Sequence, residues 1–227
     1  METTENIKID ELYKADISND ICYILISVYG TPFHNEEHFY QGVKLASTKF
    51  SKVIILLADH LDRFNKIAFD KCAVSNAIIK SEENGNKIYE QFIANLKKFD
   101  LHNSDGTEIE IKRWKEILNQ YYLEKINSIK EIIQINEELS FQLTQLATNF
   151  CIHRRAGNTS ITKNARRFNC IKEYIIEEIP FWIGYSNQLP YNIFYPRYQN
   201  ANSTNDLVIL SQKFNNDIKT KIFEISF

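Results

Sequence analysis

Ile21-Cys22-Tyr23-Ile24-Leu25-Ile26-Ser27-Val28 is the stretch from which the fold is read. It is a short apolar run rich in β-branched and aromatic residues, the pattern of a buried strand. It stops at Tyr29-Gly30-Thr31-Pro32, where glycine and proline mark a turn. Beyond the turn, Phe39, Val43, Ala46 and Phe50 fall at helical spacing over about Glu36–Phe50. A second continuous apolar run, Val53–Ala58, then ends in Asp59. Strand, helix, strand, with both strands apolar throughout, is the βαβ signature of a parallel sheet covered on both faces.

Outward from this unit, residues 66–99 read as one helix or a pair broken near Asn84-Gly85-Asn86. Residues 100–108 form a polar loop, and Ile109–Lys112 a short third strand. Trp114–Asn127 and Ser128–Ile152 have helical periodicity, the second with Ile132, Ile135, Leu139, Leu143, Leu146 and Phe150 on one face. A basic loop over 153–167 leads into a helix over 168–178 that is expected to stop at Pro180. Tyr191–Tyr195 and Leu207–Leu210 read as further strands. No linker or internal repeat divides the chain, so a single domain over residues 1–227 is expected.

Apolar residues make up 44% of the 227, enough for a full core without disulfide or metal staples. A formal charge of -2 argues against a globally basic nucleic-acid binder, so any RNA contact would use a local patch. The four cysteines, Cys22, Cys72, Cys151 and Cys170, include no CxxC pair. That usage suits a reducing cytosol. The acidic, polar N-terminus lacks the regions of a signal peptide, and no apolar run approaches a membrane span. A cytoplasmic protein without membrane association is expected. Glycine is scarce and no dinucleotide or Walker pattern occurs, so no cofactor is expected. His34-Asn35-Glu36-Glu37-His38 has Asn where a zincin needs Glu, and no metal site is expected. Ser27, His34 and Asp59 compose a possible hydrolase triad, but the Gly-x-Ser-x-Gly elbow is missing.

Four ordered segments carry a family resemblance. They are Leu25–His34 (LISVYGTPFH), Val53–Asn65 (VIILLADHLDRFN), Tyr174–Phe181 (YIIEEIPF) and Tyr195-Pro196. Together they resemble the tRNA-dependent cyclodipeptide synthases. The resemblance implies a Rossmann-like parallel sheet flanked by helices, similar to the catalytic domains of class I tyrosyl- and tryptophanyl-tRNA synthetases. It implies an aminoacyltransferase that joins two aminoacyl groups, taken from aminoacyl-tRNAs, into a diketopiperazine by a ping-pong route through a serine. It also implies a monomer. By resemblance Ser27 is the nucleophile, Tyr174 and Glu178 the grip on the amino group, and Tyr195 the proton relay. Gly30, Tyr195 and Pro196 match the branch marked by a non-Asn residue, Tyr and Pro. Leu25 departs from the Gly often found there, which bears on substrate size. Tyr23, Leu25 and Leu56, with Gly30 and Pro196, are the candidate walls of the first side-chain pocket.

The chemistry suits these residue types. An aminoacyl-tRNA is an activated ester, and a serine at a strand's carboxyl end can accept its acyl group. Tyr174 and Glu178, four residues apart, share a helix face with a rise of ~6 Å, whereas Glu177 points elsewhere. Arg154, Arg155, Lys163, Arg166 and Arg167, with His153, form a basic cluster that reads either as a tRNA surface or as a solvated loop. Two other classes stay open: a non-catalytic aminoacyl-tRNA-binding protein on the same fold, and a serine hydrolase or acyltransferase acting on small esters.

Overall fold

The computed structural model describes residues 21–28, 32–101, 106–154, 164–184, 191–197, 203–214 and 222–226. Strand β1 (Ile21–Ile26) is followed by a 3-10 turn over Pro32–His34 and helix α1 (Glu36–Ser47). Then come β2 (Lys52–Leu57), α2 (Asp62–Ala68), α3 (Val74–Lys98) and β3 (Glu108–Arg113). Four helices follow: α4 (Trp114–Ile117), α5 (Gln120–Ile135), α6 (Glu137–Arg154) and α7 (Ala165–Trp182). The chain ends through β4 (Asn192–Arg197), α8 (Ser203–Gln212) and β5 (Ile222–Ser226). The sheet order is β3-β2-β1-β4-β5, with every pairing parallel.

Alternation along the strands divides the core. Cys22, Ile24 and Ile26 pack with Val53, Ile55 and Leu57 against Phe39 and Val43 of α1 and Phe92 and Leu96 of α3. Tyr23, Leu25, Ile54 and Leu56 face the opposite layer, built from α2 and from α4 to α8. Both faces are covered, which is why both central strands are apolar throughout. Asparagines start four of the helices. Asn35 accepts the N–H groups of Glu37 and His38, Asn119 that of Tyr122, Asn136 that of Leu139 and Asn164 that of Arg167, at 2.9 to 3.1 Å.

The structure corrects several boundaries of the sequence reading. The helix break lies at Asn136, not at Asn127–Ser128, because Asn136 leaves the helix in an extended conformation and caps the next one. Ile135, expected on the buried face, is exposed there. Leu207–Leu210 lies in helix α8, with Leu207, Val208 and Leu210 buried and Ile209 exposed. A four-residue apolar run does not separate helix from strand. Strand β5, not anticipated, pairs with β4. The basic loop is shorter than expected, since Arg154 closes α6 and Arg166 and Arg167 lie in α7.

Helix α7 also runs through Pro180 to Trp182. Proline lacks an N–H and crowds the carbonyls of the preceding turn. The Glu177 carbonyl in that turn accepts the Tyr122 hydroxyl at 2.8 Å. Just beyond, the Phe181 carbonyl accepts the Tyr191 hydroxyl at 2.6 Å. Ile179, Phe181 and Trp182 are buried around the proline, so packing holds a helix that local propensity would end.

Helix α3 is likewise continuous across Asn84-Gly85-Asn86. Gly85 is there for close approach. A Cβ at this position would stand 2.4 Å from Oδ2 of Asp59 and 2.6 Å from Nη2 of Arg113. An exposed helical Gly→Ala change gains roughly 1 kcal/mol. At Gly85 the sign reverses, because the methyl group displaces a held ion pair, and Gly85→Ala is expected to cost about 1–3 kcal/mol. Chemical denaturation of the two proteins checks this; a stabilised variant would mean that the Asp59–Arg113 pair yields freely.

Candidate active site

In a parallel sheet ordered 3-2-1-4-5 the strand order reverses between β1 and β4. Ligands bind such sheets beyond the carboxyl ends of the strands at that switch point. Ser27 follows the last residue of β1 and is half-buried. The β1–β2 ladder closes beside it, the Ala58 N–H donating to the Ile26 carbonyl at 2.8 Å. Tyr195 and Pro196 lie in β4, following Phe194, which pairs with Ile24. The sheet thus sets Ser27, just past β1, beside β4, in which Tyr195 lies two residues before the strand ends at Arg197.

Helix α7 contributes Tyr174 and Glu178, both buried, from the layer that covers Tyr23 and Leu25. The Tyr174 ring lies 5.2 Å from that of Phe150. A carboxylate buried at 7% exposure is uncommon away from a functional or paired setting. Of the candidate pocket residues, Leu25 and Leu56 are register partners on adjoining strands and both are buried. Tyr23 lies deeper, with ring centroids 4.7 Å from Tyr191 and 5.7 Å from Phe181. Gly30, Arg155 and Lys163 lie outside the described residues.

Arg166 is exposed in the first turn of α7. Arg167 points inward. Its guanidinium donates to the carbonyls of Ala68, from Nε, and of Phe69, from Nη2 at 3.4 Å, at the end of α2. Those are carbonyls that a helix C-terminus leaves without intrahelical donors. Arg167 therefore joins α2 to α7, in addition to any role at the surface.

The sequence reading missed a buried charged network around this site. Oδ2 of Asp59 accepts Nε and Nη2 of Arg113, each at 2.5 Å. Oδ1 accepts the backbone N–H of His60 at 2.8 Å and that of Trp114 at 3.3 Å. Arg113 continues to Asn86 and the Glu82 carbonyl on α3. Glu177 accepts both terminal nitrogens of Arg63, Nη1 at 3.1 Å, and the Trp114 indole N–H at 3.2 Å. Only the Asp59 end of this network had a sequence signal, as the polar residue closing an apolar strand. With Asp59 bound to Arg113, the Ser27-His34-Asp59 triad is not formed. The His34 Nε2 donates instead to the Ser27 backbone carbonyl at 3.0 Å.

Tyr122 is fully buried, and burial first, then Tyr191, Glu177 and Glu178, pushes its phenol well above the usual range. It therefore stays protonated as the donor to Glu177. His60 is held down to about 4, by burial first and then by Arg63, Lys115 and Arg113, with Glu82 opposing. His34 shifts the same way, mainly through burial, with its bond to Ser27 opposing. The unfolded chain protonates these rings near pH 6.5 while folded His60 stays neutral down to about 4. Stability is thus present above pH 6.5 and falls as pH drops towards 4. His60→Gln, which cannot protonate, is expected to retain on the order of 1 kcal/mol more of its pH 7 stability at pH 5, a figure reduced for solvent screening. Denaturant titrations at the two pH values test it, and parallel losses in both proteins would remove His60 as the responsible group.

No family model matches this chain, and no curated protein matches it. Solved structures do. A cyclodipeptide synthase from Fluoribacter dumoffii superposes with a TM-score of 0.69 at 18% identity, over 89% of this chain and 87% of that one. The fold is that of the cyclodipeptide synthases. A cyclodipeptide synthase from Candidatus Glomeribacter gigasporarum, bound to Phe-tRNAPhe, matches with a TM-score of 0.63 at 14% identity, over 93% and 90% of the two chains. Tyrosyl-tRNA synthetase from Archaeoglobus fulgidus matches at 0.55 and 10% identity, over 93% of this chain and 56% of its own. The cyclodipeptide synthase fold, a Rossmann-like sheet shared with a tRNA synthetase, is thus kept at identities too low to carry residue roles. Among the described residues no helix is long and apolar enough to cross a membrane.

Proposed function

We propose that this chain is a tRNA-dependent cyclodipeptide synthase of the branch with a non-Asn residue, Tyr and Pro at Gly30, Tyr195 and Pro196. The observation that carries the reading is the position of Ser27 at the carboxyl end of β1, beside β4 and its Tyr195 across the switch point, with buried Tyr174 and Glu178 in the layer above. The likeness to a synthase bound to Phe-tRNAPhe supports charged tRNA as the substrate.

Ser27 Oγ attacks the aminoacyl ester, forming an aminoacyl-serine and releasing the tRNA with its terminal hydroxyl restored. The α-amine of that intermediate attacks the ester of a second aminoacyl-tRNA, releasing the second tRNA and leaving a dipeptidyl-serine. The free amine of the dipeptide then attacks the serine ester. Ring closure expels the Ser27 alkoxide, which takes the amine's proton through Tyr195. Tyr174 and Glu178 hold the α-ammonium group of the serine-bound residue. Leu25 and Leu56 narrow the first side-chain pocket, with Tyr23 beneath them, and favour a small or medium apolar residue. Arg154, Arg155, Lys163 and Arg166 supply phosphate contacts, with Arg167 at their inner edge. The test is mass spectrometry of the medium from cells producing the protein. A cyclic dipeptide absent from control cells supports the reading and identifies the amino acids. Its absence, with charged-tRNA binding intact in the purified protein, overturns it in favour of a binding protein.

A further inference from the structure

We propose that Glu177, with Arg63 and Trp114, is a positioning unit that sets the rotation of α7 and so aims Glu178 at the Ser27 strand end. This deepens the reading above and rests on it. Consecutive helical residues diverge by about 100° around the axis, so fixing the direction of Glu177 fixes that of Glu178. Glu177 is held at both ends. Its carboxylate takes the two Arg63 nitrogens and the Trp114 indole N–H, and its carbonyl takes the Tyr122 hydroxyl.

The holders are themselves tied to the end of β2. Arg63 Nη1 also donates to the His60 carbonyl at 2.7 Å, and the Trp114 backbone N–H reaches Asp59 at 3.3 Å. Two routes therefore join one α7 residue to residues 59–60, which follow the strand paired with β1. The place chosen is the weak point of the helix, three residues before Pro180, where the backbone ladder is interrupted. A surface ion pair would stabilise without orienting. Here the pair is bidentate, and its side chains are only 15% and 11% exposed.

The experiment compares purified wild type with Glu177→Gln and Trp114→Phe. It follows acylation of Ser27 by intact-protein mass after mixing with charged tRNA, and kcat and KM for cyclic-dipeptide formation. Glu177→Gln keeps the shape and one acceptor but loses the bidentate charge. Its kcat for cyclic-dipeptide formation is expected to fall roughly 10- to 100-fold, with KM changed by less than about twofold and the aminoacyl-serine accumulating. Trp114→Phe, which removes one donor, is expected to lose about threefold in the same parameter. Should Glu177→Gln fail to fold, the Trp114→Phe split decides. Variants that form cyclic dipeptide at the wild-type kcat, or lose activity only in proportion to the fraction unfolded, overturn the positioning role while the synthase reading stands. A wild type that never acylates overturns both.

Discussion

Ser27→Ala is expected to abolish cyclic-dipeptide formation, by at least ~10³-fold, while leaving the folded protein unchanged. The chemical half follows from the proposed route. Every later step acts on an ester to Oγ, so the loss is not shared between kcat and KM but removes the intermediate itself. The structural half follows from the surroundings. Ser27 lies one residue beyond β1 and is half-buried, so alanine leaves no large cavity. Its contact with His34 uses the backbone carbonyl, which alanine retains. Two measurements check the pair of claims: cyclic dipeptide in the medium, and the intact mass of purified protein after exposure to charged tRNA. Wild type is expected to gain one aminoacyl group and the variant none, with equal melting temperatures. A variant as productive as wild type would place the nucleophile elsewhere and undo the reading of residues 21–34.

The Ser27 strand end was readable from sequence because its determinants are local. Two apolar runs with a helical pattern between them define parallel strands, and the end of such a strand is a ligand address whatever follows. Local pattern fails where the deciding partner is remote. Pro180 reads as a helix stop because the Tyr122 hydroxyl that caps the turn before it lies 55 residues from Glu177. Asn84-Gly85-Asn86 reads as a break because the Asp59–Arg113 pair that requires the glycine belongs to two strand ends, 54 residues apart. Glu177 was assigned a direction away from the site, and its partners Trp114 and Arg63 are 63 and 114 residues away. No spacing rule spans such distances. Leu207–Leu210 failed for a different reason: four apolar residues fit a strand or one turn of helix, and it is the burial of adjacent pairs, Leu207 with Val208 and Leu210 with Ser211, that breaks strand alternation and marks the helix.

Glu178→Gln is expected to lower kcat/KM for cyclic-dipeptide formation by about 10²–10³-fold in a protein that still folds. Glu178 is 7% exposed, and keeping a charge there costs more than keeping an amide of the same shape. In the proposed reaction the carboxylate meets the α-ammonium of the acyl group, an interaction that is strong where water is excluded. Glutamine keeps the acceptor oxygen but not the charge, and its NH₂ presents donors towards an ammonium that needs acceptors. The aminoacyl-serine should still form, because Oγ is intact, but the bound amine is poorly held for the second transfer. Intact-protein mass should therefore show the acylated enzyme accumulating in Glu178→Gln, while the product assay shows little diketopiperazine. Tyr174→Phe, which removes one hydroxyl from the same helix face, is expected to lose less, about 10-fold. A Glu178→Gln protein of wild-type activity would assign Glu178 to the core, and the ammonium would have to be held by other groups.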